Sequence, residues 1–156
     1  EGRVASETFE PEENRVERPA VEAKHKDGVV DALTTFVAAR RMVLQAQAKG
    51  ETKFTLPYYD GRRRTDLNFE IVGSETMKDT KQQVLHVRYT GIPVAGFTAN
   101  ELKKQNAEDA VIDAYASDDG QLLPIAAKGS APLGVAFGKV THTCVDFAMC
   151  EKEAAK

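Results

Sequence analysis

The sequence predicts an α+β protein that is mostly β, in which a curved antiparallel sheet, forming a partial barrel, is wrapped around one helix. Two observations lead to this prediction. Apolar side chains recur at helical spacing in residues 31–48, whereas apolar and polar side chains alternate in several later segments. Turn residues separate those segments, and such alternation is typical of an antiparallel sheet with one dry face and one wet face.

The N-terminal residues 1–28 are rich in Glu, Arg and Pro, so we expect an extended charged arm with at most a short first strand around residues 2–9. The helix and the sheet are expected to form one domain over residues 29–150, followed by a disordered tail over residues 151–156. The chain has neither an initiating Met nor a signal-peptide pattern. This indicates a processed, truncated or incomplete chain and leaves open whether residues precede Glu1.

The helix has a start signal and a stop signal. Asp31 is a favourable N-cap, because its carboxylate faces the positive end of the helix dipole, and Gly50 suits the C-terminal end. An apolar stripe with helical spacing is predicted to face the core. The stripe consists of Leu33, Phe36, Val37 and Val43.

The first hairpin follows the helix. The segment KFTLPYY, residues 53–59, is typical of a strand and leads into Asp60-Gly61, a strong hairpin signal. The partner strand places apolar side chains on one face and polar ones on the other. The apolar face consists of Leu67, Phe69 and Ile71.

Further strands are predicted along the rest of the chain. In the segment 84–89 the apolar face is opposed by His86 and Arg88, which are expected on the wet face. That apolar face consists of Leu85, Val87 and Tyr89. Residues 96–109 form either a short helix or a solvated connection. The remaining predicted elements are strands at 110–116 and 122–128, a turn at Asp118, Asp119 and Gly120 between them, and a long strand at 134–147.

The overall charge argues against nucleic acid as a partner. The formal net charge is −3 and the pI is near 5.7, whereas nucleic-acid-binding domains normally carry a positive excess. No apolar run approaches the roughly 18 residues that a membrane span needs, so no transmembrane segment is expected. Arg62, Arg63 and Arg64 follow the first hairpin turn, where they are either solvated tip residues or rim contacts to lipid phosphate or an acidic partner surface.

Few residues suggest chemistry. His25 and His86 lie far from His142 in sequence, and Cys144 and Cys150 do not form the close ligand pairs of common zinc sites. We therefore expect no metal and no cofactor, and whether the two cysteines are bonded stays open. No catalytic motif is recognisable, so we assign no catalytic residues.

Four segments in order resemble an exported proteobacterial family catalogued as domain of unknown function 3108 (DUF3108): HKDGVVDALTTF, LPYYDGRRRTDLNFEIVGSETM, DDGQLLPI and APLGVAFGKVT. The resemblance covers most of residues 25–143. It implies a periplasmic or secreted protein of the cell envelope, with a curved sheet around a helix similar to lipoprotein-carrier folds. Members usually begin with additional strands before the region matching residues 1–28. We therefore expect the sheet edge to be completed by missing N-terminal strands or by another chain.

Three functions follow as expectations. The first is a non-catalytic periplasmic protein that binds an apolar ligand, a lipid or a lipoprotein acyl chain, or an envelope partner. The second is a structural or assembly subunit of a larger envelope complex, and the third, less favoured, is a hydrolase or isomerase that would join His86 or His142 to a carboxylate. The residues expected to line the ligand are Phe36, Leu67, Phe69, Ile71, Leu85, Val87 and Tyr89. The expected rim contacts are Arg62, Arg63 and Arg64.

Overall fold

The protein is built on one open antiparallel sheet. The computed structural model describes residues 18–107, 111–131 and 134–140. Six strands follow one another in chain order, each pairing with the next, and the sheet is not closed into a barrel. The strands are β1 Lys53–Tyr59, β2 Arg64–Thr76, β3 Gln83–Ala95, β4 Val111–Ser117, β5 Pro124–Ala131 and β6 Gly134–Lys139. The described helices are a 3-10 turn Ala23–His25, α1 Thr34–Lys49 and α2 Ala99–Ala107. The mostly β class with one main helix is confirmed.

Helix α1 begins and ends on the signals predicted for it. The Asp31 carboxylate accepts hydrogen bonds from the backbone N–H of Thr34 (2.7 Å) and from its hydroxyl (2.9 Å), and the Thr35 N–H donates to the Asp31 carbonyl oxygen (3.0 Å). Gly50 ends the helix with φ 72°, a left-handed conformation that costs glycine little. The helix bounds differ from the predicted 31–48 by a few residues, but both end residues act as expected.

The core lies between one face of the sheet and the C-terminal half of α1. Its buried residues are Val43, Leu56, Phe69, Leu85, Val87 and Leu122. Leu67, Ile71 and Tyr89 are partly buried and pack against this cluster. The predicted alternation on β2 and β3 is therefore confirmed, and we call this side of the sheet the core face and the opposite side the outer face.

The prediction that the whole apolar stripe of α1 is core was wrong. Val43 is only 5% exposed, whereas Phe36 is 75% exposed, and Leu33 and Val37 are likewise exposed. Phe36 lies about two helical turns before Val43 and so points to nearly the same side of α1. Its exposure arises because the described part of the sheet covers only the C-terminal half of the helix.

The prediction of a wet outer face was also wrong at one end of β3. His86 points away from the core face as expected, yet it is only 8% exposed. Its neighbour on the same face, Val84, is fully buried, and Ser117, paired with Val84, is buried as well. Alternation predicted the direction of these side chains correctly but did not predict that the outer face is covered there.

The connections settle one predicted alternative and confirm one predicted turn. Residues 96–109 contain helix α2 rather than a solvated loop. The turn after β4 is held by Asp119, whose carboxylate accepts hydrogen bonds from the Ser117 hydroxyl (2.7 Å) and the Gln121 N–H (2.9 Å), so its turn role is confirmed. Strand β6 ends at Lys139, and the predicted continuation over 141–147 lies outside the described residues, as do residues 1–17 of the arm and the predicted tail.

Candidate functional site

The predicted ligand-lining residues occupy two different environments. Six of them belong to the core face: Leu67, Phe69, Ile71, Leu85, Val87 and Tyr89. The seventh, Phe36, lies on the uncovered half of α1. The six sheet residues therefore lie together on the core face, whereas Phe36 is exposed to solvent.

The core-face residues pack against one another and against α1. The Phe69 ring stacks on Phe54, with 4.8 Å between ring centroids, and lies 5.1 Å from the Tyr89 ring. Burial raises the pKa of the Tyr89 hydroxyl. Because Val43 fills the other side of this cluster, protein side chains occupy the space beneath the C-terminal half of α1.

Arg63, one of the predicted rim residues, makes contacts within the chain. Its Nε donates to the Asp60 carboxylate (2.8 Å), and its Nη1 lies 3.4 Å from Glu101. The guanidinium also lies 5.6 Å from the centre of the Phe97 ring. Burial would raise the pKa of Asp60, but the hydrogen bonds from Arg63 and from the turn backbone outweigh it and lower the pKa.

Arg64 is likewise engaged inside the protein. Arg62 is exposed and also has an interaction within the chain. Both Nε (2.8 Å) and Nη2 (2.6 Å) of Arg64 donate to Asp66, and Nη1 donates to the carbonyl oxygen of His25 (3.2 Å). The charge of the arginine triplet is thus largely used to hold the hairpin to its neighbours. The predicted contact of these arginines with phosphate or an acidic surface stays a prediction.

Helix α2 is held by a capping box. The Thr98 N–H donates to the Glu101 carboxylate (2.9 Å), and the Glu101 N–H reaches the Thr98 hydroxyl (3.3 Å). The same carboxylate accepts a hydrogen bond from Arg18 (2.6 Å). The hydrogen bond from Arg18, with those from Thr98, lowers the pKa of Glu101 to about 2 from its ordinary value of 4.5. The Glu101 carboxylate therefore joins the N-terminal segment, through Arg18, to the start of helix α2.

We expect Glu101→Gln to lower the free energy of unfolding at neutral pH by about 1–2 kcal/mol, the usual size for a lost cap and a partly buried ion pair. Because the folded pKa lies below the ordinary value, this stabilisation is present above pH 4.5 and is lost as pH falls towards 2. Urea unfolding at a series of pH values should therefore give a flatter profile in this window for the variant. Glu51→Gln, at an exposed position, is the control, and an equal effect of both substitutions would contradict the assignment.

The outer face carries a chain of hydrogen bonds from a buried histidine to a surface arginine. The Nε2 of His86 lies 2.7 Å from Oδ1 of Asp113, and the Nε of Arg88 donates to the same oxygen at 2.9 Å. The His86 ring stacks on Tyr115, with centroids 4.8 Å apart, and its Nδ1 lies 3.9 Å from Glu75. Both ring nitrogens thus face carboxylates, which favours a positioning role for His86 over direct contact with a substrate.

The charge of Asp113 is stabilised by these partners. Burial would raise the pKa of Asp113, but the hydrogen bonds from His86 and Arg88 outweigh it and lower the pKa. The carboxylate therefore stays ionised and holds the Arg88 guanidinium through one edge. The third expected function, a hydrolase or isomerase, required a histidine beside a carboxylate. The pair of His86 and Asp113 meets that one condition.

A groove of about 460 Å³ lies beside Arg88. The middle row of its lining consists of Phe54, Phe69 and Tyr89, which pair across three strands and whose side chains lie on the core face. The adjacent rows of side chains point to the outer face, since side chains alternate along a strand. These rows are Lys53, Glu70 and Arg88 on one side and Thr55, Asn68 and Thr90 on the other. The groove therefore lies on the side of the sheet away from α1, with polar side chains along two rows and a partly apolar lining between them.

Three functional residues, Asp113, Thr98 and Glu101, were missed from sequence. The alternation in the segment VIDAYAS places Asp113 on the other face of the strand from Ile112. Nothing in this pattern predicts that Asp113 contacts His86. Thr98 and Glu101 have the spacing of a capping box, a signal that could have identified α2. The remaining sequence candidates, His142, Cys144 and Cys150, lie outside the described residues.

Within the described ranges, no group of three or more His, Cys, Asp and Glu side chains is arranged to hold a metal ion. No helix in that part of the chain combines the length and the apolar character that crossing a membrane requires.

Comparison with known proteins identifies a family. Searches of curated proteins and of solved structures return no match. The model of the family described as "Protein of unknown function (DUF3108)" matches residues 1–141, which is most of the chain and includes the four segments that carry the resemblance. The chain belongs to the DUF3108 family.

Proposed function

We propose that this protein is a non-catalytic binding protein of the bacterial envelope, exported to the periplasm, and that it binds the acyl chain of a lipid or lipoprotein. The binding surface is the uncovered half of α1, formed by Leu33, Phe36 and Val37, which we call the α1 patch. The resemblance to an exported family supports the location. The exposure of Phe36 supports the surface.

The exposure of Phe36 carries the proposal. Phe36 is 75% exposed although it points to nearly the same side of α1 as Val43, which is 5% exposed. Leu33 and Val37, also exposed, lie beside it on the same turns. Grouped apolar side chains of this size in water are unfavourable and usually mark a binding surface.

The charge around the α1 patch suits a ligand with an anionic headgroup. Arg40 and Arg41 follow it by one helical turn, and α1 contains no acidic residue. Long basic side chains beside an apolar surface can contact phosphate while their stems cover the acyl chain. Of the arginines expected at the rim, the proposal assigns the headgroup contact to the exposed Arg62.

We further propose that the sheet curves around α1, as expected from the sequence. Supporting this, the Nζ of Lys139 on β6 lies 2.6 Å from Asp79, in the turn between β2 and β3. In a flat sheet β6 and β3 would be about 14 Å apart, too far for one side chain to bridge.

A structural or assembly subunit is the second candidate function, and the open edge of β1 favours it. Among the described residues, this edge pairs with Val30 alone, whose N–H donates to the Pro57 carbonyl oxygen (2.8 Å) and whose carbonyl accepts from the Tyr59 N–H (2.9 Å). The segment from Lys53 to Leu56 has no strand on that side in the described part of the chain. Such an edge can accept a strand from N-terminal residues or from another chain.

The test is a titration with a fatty acid that carries a fluorophore on its acyl chain. We expect the native protein to bind it and Phe36→Gln to weaken binding by about tenfold, since burying a Phe side chain contributes roughly 1.5–3 kcal/mol. Phe137→Gln is the matched control, because Phe137 is similarly exposed but lies on β6.

Two outcomes would contradict acyl binding. One is the absence of any titratable binding by the native protein, and the other is equal binding by both variants. If sedimentation then shows that the native chain self-associates while Phe36→Gln is monomeric, the assembly function replaces the first candidate.

A further inference from the structure

We propose that the groove on the outer face binds a small oxyanion, the carboxylate or phosphate group of a ligand, held by the free end of the Arg88 guanidinium with Asn68 as a second donor. This site lies on the side of the sheet away from α1, so it does not depend on acyl binding. Its basis is the contrast between Arg88 and the arginines at the hairpin tip.

The arginines of the hairpin have little donor capacity left. Arg64 uses Nε, Nη1 and Nη2 for protein partners, and Arg63 has both its Nε edge and its Nη1 engaged. Arg88 donates from Nε alone, to Asp113. Within the described residues its two terminal nitrogens have no protein partner, and they form the planar fork that binds an oxyanion in two places.

Arg88 is also held in position. Asp113 fixes one edge of the guanidinium and is itself held by His86, which is nearly fully buried. A side chain oriented by a second residue loses less conformational freedom when a ligand binds. The chain of contacts thus runs from a rigid, buried ring to a partly exposed cation beside an open groove.

The other groove residues complete a donor-rich surface. The Thr55 hydroxyl donates to Oδ1 of Asn68 (2.8 Å), which orients the amide so that its N–H₂ group, unpaired among the described residues, is available to a ligand. Lys53 lies 3.4 Å from Glu70, so the groove lining carries two cations and one carboxylate, while Asp113 holds Arg88 from the side of its Nε. The volume, about 460 Å³, suits a small ligand.

The experiment is a two-dimensional NMR titration of the isotope-labelled protein at low ionic strength, with inorganic phosphate in one arm and succinate in the other. We expect amide shifts to concentrate on residues 53–55, 68–70 and 88–90, with saturation in at least one arm. The arm with the lower midpoint identifies the ligand class. Arg88→Gln should raise that midpoint by about tenfold or more, and Arg88→Lys, which keeps the charge without the fork, should raise it by less.

Lys103→Gln is the control, since Lys103 is an exposed cation on α2 that belongs neither to the groove lining nor to the α1 patch. It should leave the midpoint unchanged. The proposal is overturned if Arg88→Gln titrates like the native protein. It is also overturned if shifts spread over basic residues across the surface, or if neither anion saturates. Acyl binding at the α1 patch should be the same in Arg88→Gln, so failure of one proposal is distinguishable from failure of the other.

Discussion

We expect Gly96→Ala to destabilise the protein by about 3–5 kcal/mol, a large part of the free energy of unfolding of a domain of ordinary stability. A Cβ at this position would lie 2.1 Å from the carbonyl oxygen of Arg62 and 2.7 Å from the Val21 side chain. The first of these neighbours is backbone, so the clash can be relieved only by moving the hairpin. Gly96 also has φ +80°, which an alanine adopts only at a further cost. Urea unfolding measures the loss.

Gly50→Ala separates the two causes. Gly50 has a similar φ, +72°, but a Cβ there would meet nothing within 4 Å. We therefore expect a loss of only about 1 kcal/mol, the conformational cost alone. Equal losses for the two substitutions would show that Gly96 is not packed as described. If Gly96→Ala cannot be purified while Gly50→Ala behaves normally, the packing of Val21 and Arg62 against Gly96 is supported.

The second large effect is expected for Leu85→Ala, with a loss of about 3–5 kcal/mol. Leu85 is 2% exposed and lies in the cluster that joins the sheet to α1. Removing its side chain leaves a cavity that surrounding residues on neighbouring strands cannot fill without moving backbone, so transfer and cavity costs add. A lower denaturant midpoint with an unchanged slope is the expected measurement.

Leu33→Ala removes the same atoms from an exposed site and is the matched control. Leu33 is 87% exposed, and alanine is at least as favourable in a helix, so the change should be within about 0.5 kcal/mol. A loss comparable with that of Leu85→Ala would mean that Leu33 is covered in solution. In that case the α1 patch would be core, and acyl binding there would have to be abandoned.

The two proposed sites lie on opposite sides of the sheet. The core face is filled where α1 covers it, which leaves the α1 patch for an apolar ligand. The outer face carries the groove and the chain from His86 to Arg88. Since the two faces of a sheet are separated by its backbone, a substitution in one site should leave ligand binding at the other intact.

Much of the fold is readable from residues whose effect is local. Asp31 begins α1 through a contact with Thr34, and Gly50 ends it through its own backbone conformation. Asp60 accepts hydrogen bonds from the N–H groups of Arg62 and Arg63 within one turn. Alternation likewise determines that Phe69 and Leu85 share a face, because the pleat of a strand sets side-chain direction. These features depend on neighbours a few residues away, so pattern and spacing are sufficient.

The candidate sites depend on contacts between distant parts of the chain, which no local pattern specifies. Helical spacing predicts that Phe36 and Val43 point to the same side of α1. Phe36 is nevertheless exposed and Val43 is buried, because the described part of the sheet covers only part of the helix. Arg18 meets Glu101 across 83 positions, and His86 meets Asp113 across 27, only because the strands and the N-terminal segment pack as they do. Periodicity specifies the side to which a residue points. What covers that side, and which charges meet there, follows from the assembly of the whole chain, because burial and ion pairing are properties of surfaces in contact.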